Sequence, residues 1–277
     1  MAEKQHSNHY DGPVVVIVGP TGSGKTGVSI KIAKKLKDFS PFCNQDGPAA
    51  EIISADSRAI YKYMDIGTAK PLPEEQNGIP HHGIDLVEPG ERFTVADWKY
   101  YTEQEISSIR EKGRVPMVVG GTGLYIDALV YGYNFIGKTG EKVNDDPSAL
   151  PEQKKCSDRE KMLSEYKIFG ILWKPDELRT RLTERANKLF VQSLYDETDF
   201  LVKKYGWGSQ AMKSNIYQFA WEYMQGKISL EEAKKRFIYD DWHLAKRQIT
   251  WFKRNDKIVW LPLDKIPENV LKCIQDG

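Results

Sequence analysis

Cysteine is scarce: Cys43, Cys156 and Cys273 are the only three in 277 residues, far apart and without CxxC or Cys/His ligand spacing. That excludes a disulfide scaffold and a structural zinc site, and it suits a reducing, cytoplasmic setting. Long apolar runs are missing as well. The longest, Val14–Val18, falls far short of the ~20 residues that span a bilayer, so no membrane partner is expected. Residues 1–12 are polar and lack the apolar stretch of a secretory signal, which predicts a flexible tail. An excess of one charge is also absent, with 40 basic against 39 acidic residues, so any nucleic-acid surface must be local. What is present, 40% hydrophobic and 11% aromatic residues, is ample for a packed core. The length suggests one principal domain with a sizeable accessory region.

Along the chain, Pro13-Val-Val-Val-Ile-Val-Gly reads as a strand buried on both faces of a parallel sheet. After Gly24, Val28, Ile32, Ala33 and Leu36 recur at helical spacing, with Lys31, Lys34, Lys35 and Lys37 turned outward. Further strands are expected at 50–55, 83–87, 115–119, 168–173 and 258–261, and a helix over 95–112. This alternation predicts an α/β fold, a doubly wound parallel sheet flanked by helices. The composition divides it into a core over 13–136, a Gly-, Lys- and Asp-rich insertion or linker over 137–165, and a region over 166–277. In the last, a return strand precedes mainly helical sequence. There is no internal repeat.

The octet Gly19-Pro-Thr-Gly-Ser-Gly-Lys25-Thr26 matches GxxxxGK[ST] between a predicted strand and a predicted helix, which makes it a P-loop. Thr21, Gly22, Ser23 and Gly24 would supply backbone amides to a di- or triphosphate, and the helix dipole adds its positive end. Lys25 would reach phosphate oxygens, and Thr26 would place its hydroxyl on a Mg²⁺ ion. Asp56 ends the second strand at the same carboxyl edge, where open α/β sheets bind ligands. It can hold a metal, accept a proton from a nucleophile, or cap the next turn. The strand over 115–119 ends in Gly-Gly-Thr122 with no carboxylate, which weakens a nucleotide hydrolase. Thr122 offers a hydroxyl, with a nearby backbone amide, toward the crevice. The insertion contains Arg159 but no arginine cluster, so a phosphoryl-transfer lid is not in evidence.

The P-loop, the run Ile53-Ser-Ala-Asp-Ser-Arg-Ala-Ile-Tyr-Lys-Tyr-Met-Asp-Ile-Gly-Thr-Ala-Lys-Pro71, His81-His82, Val119-Gly-Gly-Thr-Gly-Leu-Tyr125 and Leu244-Ala-Lys-Arg-Gln-Ile-Thr-Trp-Phe252 are specific as a set. Together they make the chain similar to the tRNA dimethylallyltransferases, over most of residues 13–135 and again near the end. The resemblance implies transfer of a five-carbon allyl group from dimethylallyl diphosphate to the exocyclic N6 amine of the adenosine 3′ to the anticodon. The P-loop then holds a departing diphosphate, with Mg²⁺ as cofactor, and the acceptor is a tRNA anticodon stem-loop. By the same resemblance Asp56 is the proton acceptor and Thr122 positions the base. Asp56, Ser57, Arg58, Ala59, Thr122, Lys246, Arg247 and Gln248 would meet tRNA, and Lys213 would stand near the diphosphate. A monomer is expected.

Basic residues outnumber acidic ones between 234 and 257, and Lys246/Lys253 and Arg247/Arg254 recur seven apart, as a phosphate-tracking stripe would. A solvated helix face with Trp251 and Phe252 in the core is the plainer reading. His81 and His82 lack a third metal ligand and are assigned to local structure or substrate contact, and Trp221 to a helical core. Two departures from the family pattern stand out. The insertion is short, and Lys213 and Ile216-Tyr217-Gln218 replace an arginine and a glycine-tyrosine-arginine run. Prenyl transfer to a free adenylate, a small-molecule kinase and a noncatalytic RNA-binding descendant are the rivals.

Overall fold

The computed structural model describes residues 9–39, 42, 47–136, 150–151, 162–209 and 211–276. The elements run β1 (Val14–Val18), α1 (Lys25–Leu36), β2 (Ala50–Ala55), α2 (Pro73–Gln76), β3 (His81–His82), α3 (Val95–Glu111), β4 (Val115–Gly120) and α4 (Gly123–Val130). They continue with β5 (Phe135–Ile136), β6 (Leu150–Pro151), β7 (Tyr166–Leu172), α5 (Pro175–Leu189), α6 (Gln192–Tyr205), α7 (Asn215–Met224), α8 (Leu230–Phe252), β8 (Val259–Pro262) and α9 (Ile266–Asp276).

Six strands form one parallel sheet in the order β3-β2-β4-β1-β7-β8. β1 is central because all five of its residues are apolar and it is covered on both faces. Successive side chains in a strand point to opposite sides. Val15 and Ile17 accordingly pack with Ile32, Leu36 and Val270 of α1 and α9, whereas Val14, Val16 and Val18 pack with Trp98, Ile109, Ile126 and Leu129 of α3 and α4. The register pairs Val18 with Gly120 and Ala55 with Gly120, so β1, β2 and β4 end level at one edge.

The helical region has a core of its own. Ile60 and Met64, from the turn after β2, pack there with Leu194, Leu201, Ile216, Tyr217 and Phe237. Leu178 and Leu182 of α5 meet Ala245 of α8, which lays these two helices over the sheet edge.

Four expectations need correction. The third strand is His81–His82, not 83–87. Gly83 has φ of +75°, and a Cβ there would lie 2.9 Å from the Ser54 carbonyl oxygen, so the chain must leave the ladder at that point. Beyond it Val87 still forms an isolated bridge to Tyr61. The leader is not loose up to residue 12: Tyr10 is buried, its amide donates to the Arg110 carbonyl and its hydroxyl to that of Pro13. Trp221 is half-buried, edge-on to Trp207, while Tyr217 is the fully buried aromatic of α7. Trp251 is likewise only partly buried, beside a buried Phe252. Arg159 and most of the insertion over 137–165 lie outside the described residues.

Candidate active site

The turn between β1 and α1 is bent by Gly22 and Gly24, with φ of +71° and +87°, which glycine adopts without strain. Among the described residues, the amides of Gly22, Gly24, Lys25 and Thr26 have no protein acceptor. The Ser23 hydroxyl is buried and equally unpaired. Unpaired donors converging at a helix N-terminus form an anion site. Lys25 folds back over this turn, donating to the carbonyls of Gly19 at 2.9 Å and Pro20 at 2.8 Å. Burial pushes its ammonium down to about 8; the Asp56 carboxylate opposes that shift and Arg185 adds to it. Thr26 is exposed, so its hydroxyl is available to a ligand.

Asp56 and Thr122 come together at the adjoining strand ends. Their approach depends on Gly120, where a Cβ would lie 2.2 Å from the Ala55 carbonyl oxygen. The Thr122 hydroxyl accepts from the Ser57 amide at 3.0 Å and lies 3.4 Å from the Ser57 hydroxyl. The Thr122 amide itself donates to the Ala55 carbonyl. One Asp56 oxygen, Oδ1, accepts the Arg58 amide at 2.8 Å. The carboxylate thus serves the turn through this oxygen. Arg58 reaches the Ala211 carbonyl at 3.4 Å. Ala59 is buried, its carbonyl accepting the Asp85 amide, and it belongs to the packing of the turn.

α8 closes the site from above. Gln248 accepts the Thr21 amide at 2.7 Å and donates to the Gly121 carbonyl at 3.0 Å, so one side chain spans both glycine-rich loops. Trp251 donates to Asp127 at 3.0 Å, and a Cβ on Gly123 would lie 2.3 Å from its ring. Lys246 and Arg247, on the same helix, are exposed. Lys213 lies in a 3₁₀ turn, Ala211–Lys213, between α6 and α7.

Three functional side chains escaped the sequence reading. Arg181 of α5 donates to the Gly22 carbonyl at 2.8 Å, and Arg185 donates to the Thr21 hydroxyl and to Asp241 at 3.1 Å. Burial holds the Asp241 carboxyl above its usual range, and Arg185 pulls it back. Arginines of α5 therefore overlie the P-loop. Their i, i+4 spacing was the available signal. Glu197 of α6 is the third. It accepts the amides of Asp65, Ile66 and Gly67 at 2.8–2.9 Å and the Tyr217 hydroxyl at 2.8 Å.

The two histidines are structural. His82 bonds the buried Glu51 at 2.6 Å and pairs with Glu105 at 3.1 Å, and His81 bonds the Ile79 carbonyl at 2.8 Å. No helix among the described residues is long and apolar enough to cross a membrane.

Comparison with known proteins identifies the family. The family model described as IPP transferase matches residues 59–167 and 146–255. A tRNA dimethylallyltransferase of Bacillus licheniformis is 32% identical, with 91% of each chain covered. One of Caldanaerobacter subterraneus is 35% identical, covering 91% of this chain and 92% of that one. Among solved structures, a tRNA isopentenylpyrophosphate transferase of Staphylococcus epidermidis superposes with a TM-score of 0.74 at 30% identity, covering 95% of this chain and 99% of that one. The corresponding Bacillus halodurans protein gives 0.75 at 28% identity, covering 95% and 96%. A sequence match running from the turn after Asp56 through α8, on a backbone shared almost end to end with these enzymes, places the chain in the IPP transferase family.

Proposed function

We propose that this protein transfers a dimethylallyl group from dimethylallyl diphosphate to the exocyclic N6 amine of the adenosine 3′-adjacent to the anticodon of a tRNA, releasing diphosphate. The observation that carries this reading is the facing of two halves across one sheet edge. Unpaired P-loop amides with Lys25 lie on one side, and the Asp56–Thr122 pair lies on the other. As the bond between the allylic carbon and the diphosphate oxygen breaks, positive charge develops on carbon and negative charge on oxygen. Lys25, the loop amides and the guanidinium groups of Arg181 and Arg185 surround the oxygen side, stabilising charge that grows only in the transition state.

The adenine amine is a weak nucleophile because its lone pair is conjugated with the ring. As the new carbon–nitrogen bond forms, the amine proton passes to the Asp56 oxygen not engaged by Arg58. Thr122, fixed by Ser57, orients the base. Ser57, Arg58, Lys246, Arg247 and Gln248 line the acceptor side, and Lys213 is assigned to the diphosphate by its place in the family pattern. Mg²⁺ fits the Thr26 hydroxyl together with diphosphate oxygens, where it would neutralise the leaving group; no cluster of three acidic, His or Cys ligands exists among the described residues. A cytoplasmic monomer suits the composition.

The test supplies purified protein with dimethylallyl diphosphate, Mg²⁺ and either an anticodon stem-loop carrying consecutive adenosines or AMP. Prenylated RNA with untouched AMP is expected. Product on AMP alone would assign a free-nucleotide transferase, and phosphate transfer from ATP without prenyl product would assign a kinase.

A further inference from the structure

The outer face of α8 carries an aromatic pair to which the reaction above assigns no role. Tyr239 is 63% exposed, more than any other large apolar or aromatic side chain among the described residues. One turn on, the His243 ring lies 4.4 Å away between centroids, tilted by 54°. This contact braces a tyrosine that an exposed helix would otherwise leave free to change rotamer, so less order has to be imposed when something binds it.

The same face continues with Lys246, Arg247, Lys253 and Arg254, all exposed and none in an ion pair among the described residues. Their contacts are with rings instead: Lys246 lies 5.9 Å from Trp242 and Arg254 4.3 Å from Trp251. The carboxylates of this stretch are turned elsewhere, Asp240 to Asn215 and Asp241 to Arg185. From residue 239 to its last residue, Phe252, the helix advances about 20 Å at ~1.5 Å per residue, and Lys253 and Arg254 follow in the turn that ends it. Its opposite face, through Gln248, is tied to the P-loop. An open aromatic face followed by unneutralised cations is the chemistry of single-stranded nucleic acid, with a base stacked on the ring and phosphates along the charges.

We propose that Tyr239, braced by His243, is a stacking platform for an unpaired base of the RNA acceptor, at the head of a phosphate track formed by Lys246, Arg247, Lys253 and Arg254. This rests on the RNA-acceptor reading given above. It is tested by equilibrium binding of an anticodon stem-loop and of a fully paired RNA duplex of equal length, at several salt concentrations. The proteins are the unmodified chain and the variants Tyr239→Ala, Tyr239→Phe and Lys246→Ala.

Tyr239→Ala is expected to weaken stem-loop binding about tenfold while leaving duplex binding and the salt slope unchanged, because a stacking contact involves no counterion. Tyr239→Phe keeps the ring and should bind as the unmodified chain does. Lys246→Ala should lower the salt slope by about one. Unchanged stem-loop binding by Tyr239→Ala, with its helical circular dichroism intact, would overturn the platform. So would equal weakening on both RNAs. A chain that shows the Tyr239 dependence in binding yet forms no prenylated RNA would overturn the transfer reaction and leave the platform standing.

Discussion

The side-chain oxygen of Gln248 lies 2.7 Å from the amide nitrogen of Thr21, a hydrogen bond linking residues 227 positions apart. Through its other end the same amide holds the Gly121 carbonyl, and the two loops that flank the reaction are thereby fixed at one spacing. Gln248→Ala leaves both backbone groups without this partner, at a cost of about 1–3 kcal/mol. We expect a rise of roughly tenfold or more in the KM for dimethylallyl diphosphate. Gln248→Glu should be worse, because a carboxylate repels both the Gly121 carbonyl and the diphosphate. Steady-state kinetics on the two variants check the order.

Lys25 titrates at about 8 because burial disfavours its charge. The ammonium form binds an anion and the neutral amine does not. Affinity for a nonreactive diphosphate analogue should therefore be constant below pH 8 and fall as pH rises through that value, by up to about tenfold per pH unit. Calorimetric titration from pH 6 to pH 10 measures it, and Lys25→Met should remove the dependence along with most of the affinity.

Asp56 is expected to matter for the chemical step more than for binding. Asp56→Ala removes the proposed proton acceptor and should lower kcat by roughly 10²–10⁴-fold, with stem-loop affinity largely preserved. Asp56→Asn keeps an acceptor for the Arg58 amide and separates the turn-capping role from the chemical one. A kcat for Asp56→Asn close to that of the unmodified chain would assign the base elsewhere.

Away from the site, Glu51 is a buried carboxylate on β2. Burial alone would raise its pKa, but hydrogen bonds from His82 and Arg114 and the charge of Lys112 bring it down to about 2. A depressed carboxylate contributes stability that is present above its unfolded value, near 4.5, and is lost as pH falls toward 2. Glu51→Gln should cost about 3 kcal/mol at neutral pH. It should also flatten the decline in melting temperature between pH 5 and pH 2, which thermal denaturation across that range will show.

The motif-bearing loops were legible because their chemistry is local. Gly19 to Thr26, Asp56 and Thr122 each follow a short buried strand, and a parallel sheet must bring such strand ends to one edge. α5 was not legible in the same way. Its apolar period, Leu178, Leu182, Ala186 and Leu189, announces a core-facing stripe, and arginines beside such a stripe read as solvated. Only the crossing of α5 over the P-loop, where Leu182 would meet a Cβ on Gly22 at 2.9 Å, turns Arg181 and Arg185 inward. The third strand was misplaced for a similar reason. His81 and His82 are polar, and their place in the ladder depends on a buried acid on the neighbouring strand, which periodicity does not reveal.

The Glu197 carboxylate has one more consequence. It grips the chain only nine residues beyond Asp56, at Asp65 through Gly67, while Tyr217 anchors the grip from α7. Asp56 is therefore clamped at both ends, by the sheet behind it and by the helical layer ahead. A strain applied to α6 or α7 is delivered to the position of one carboxylate, so the reach of this enzyme's chemistry extends well past the atoms that touch the substrate.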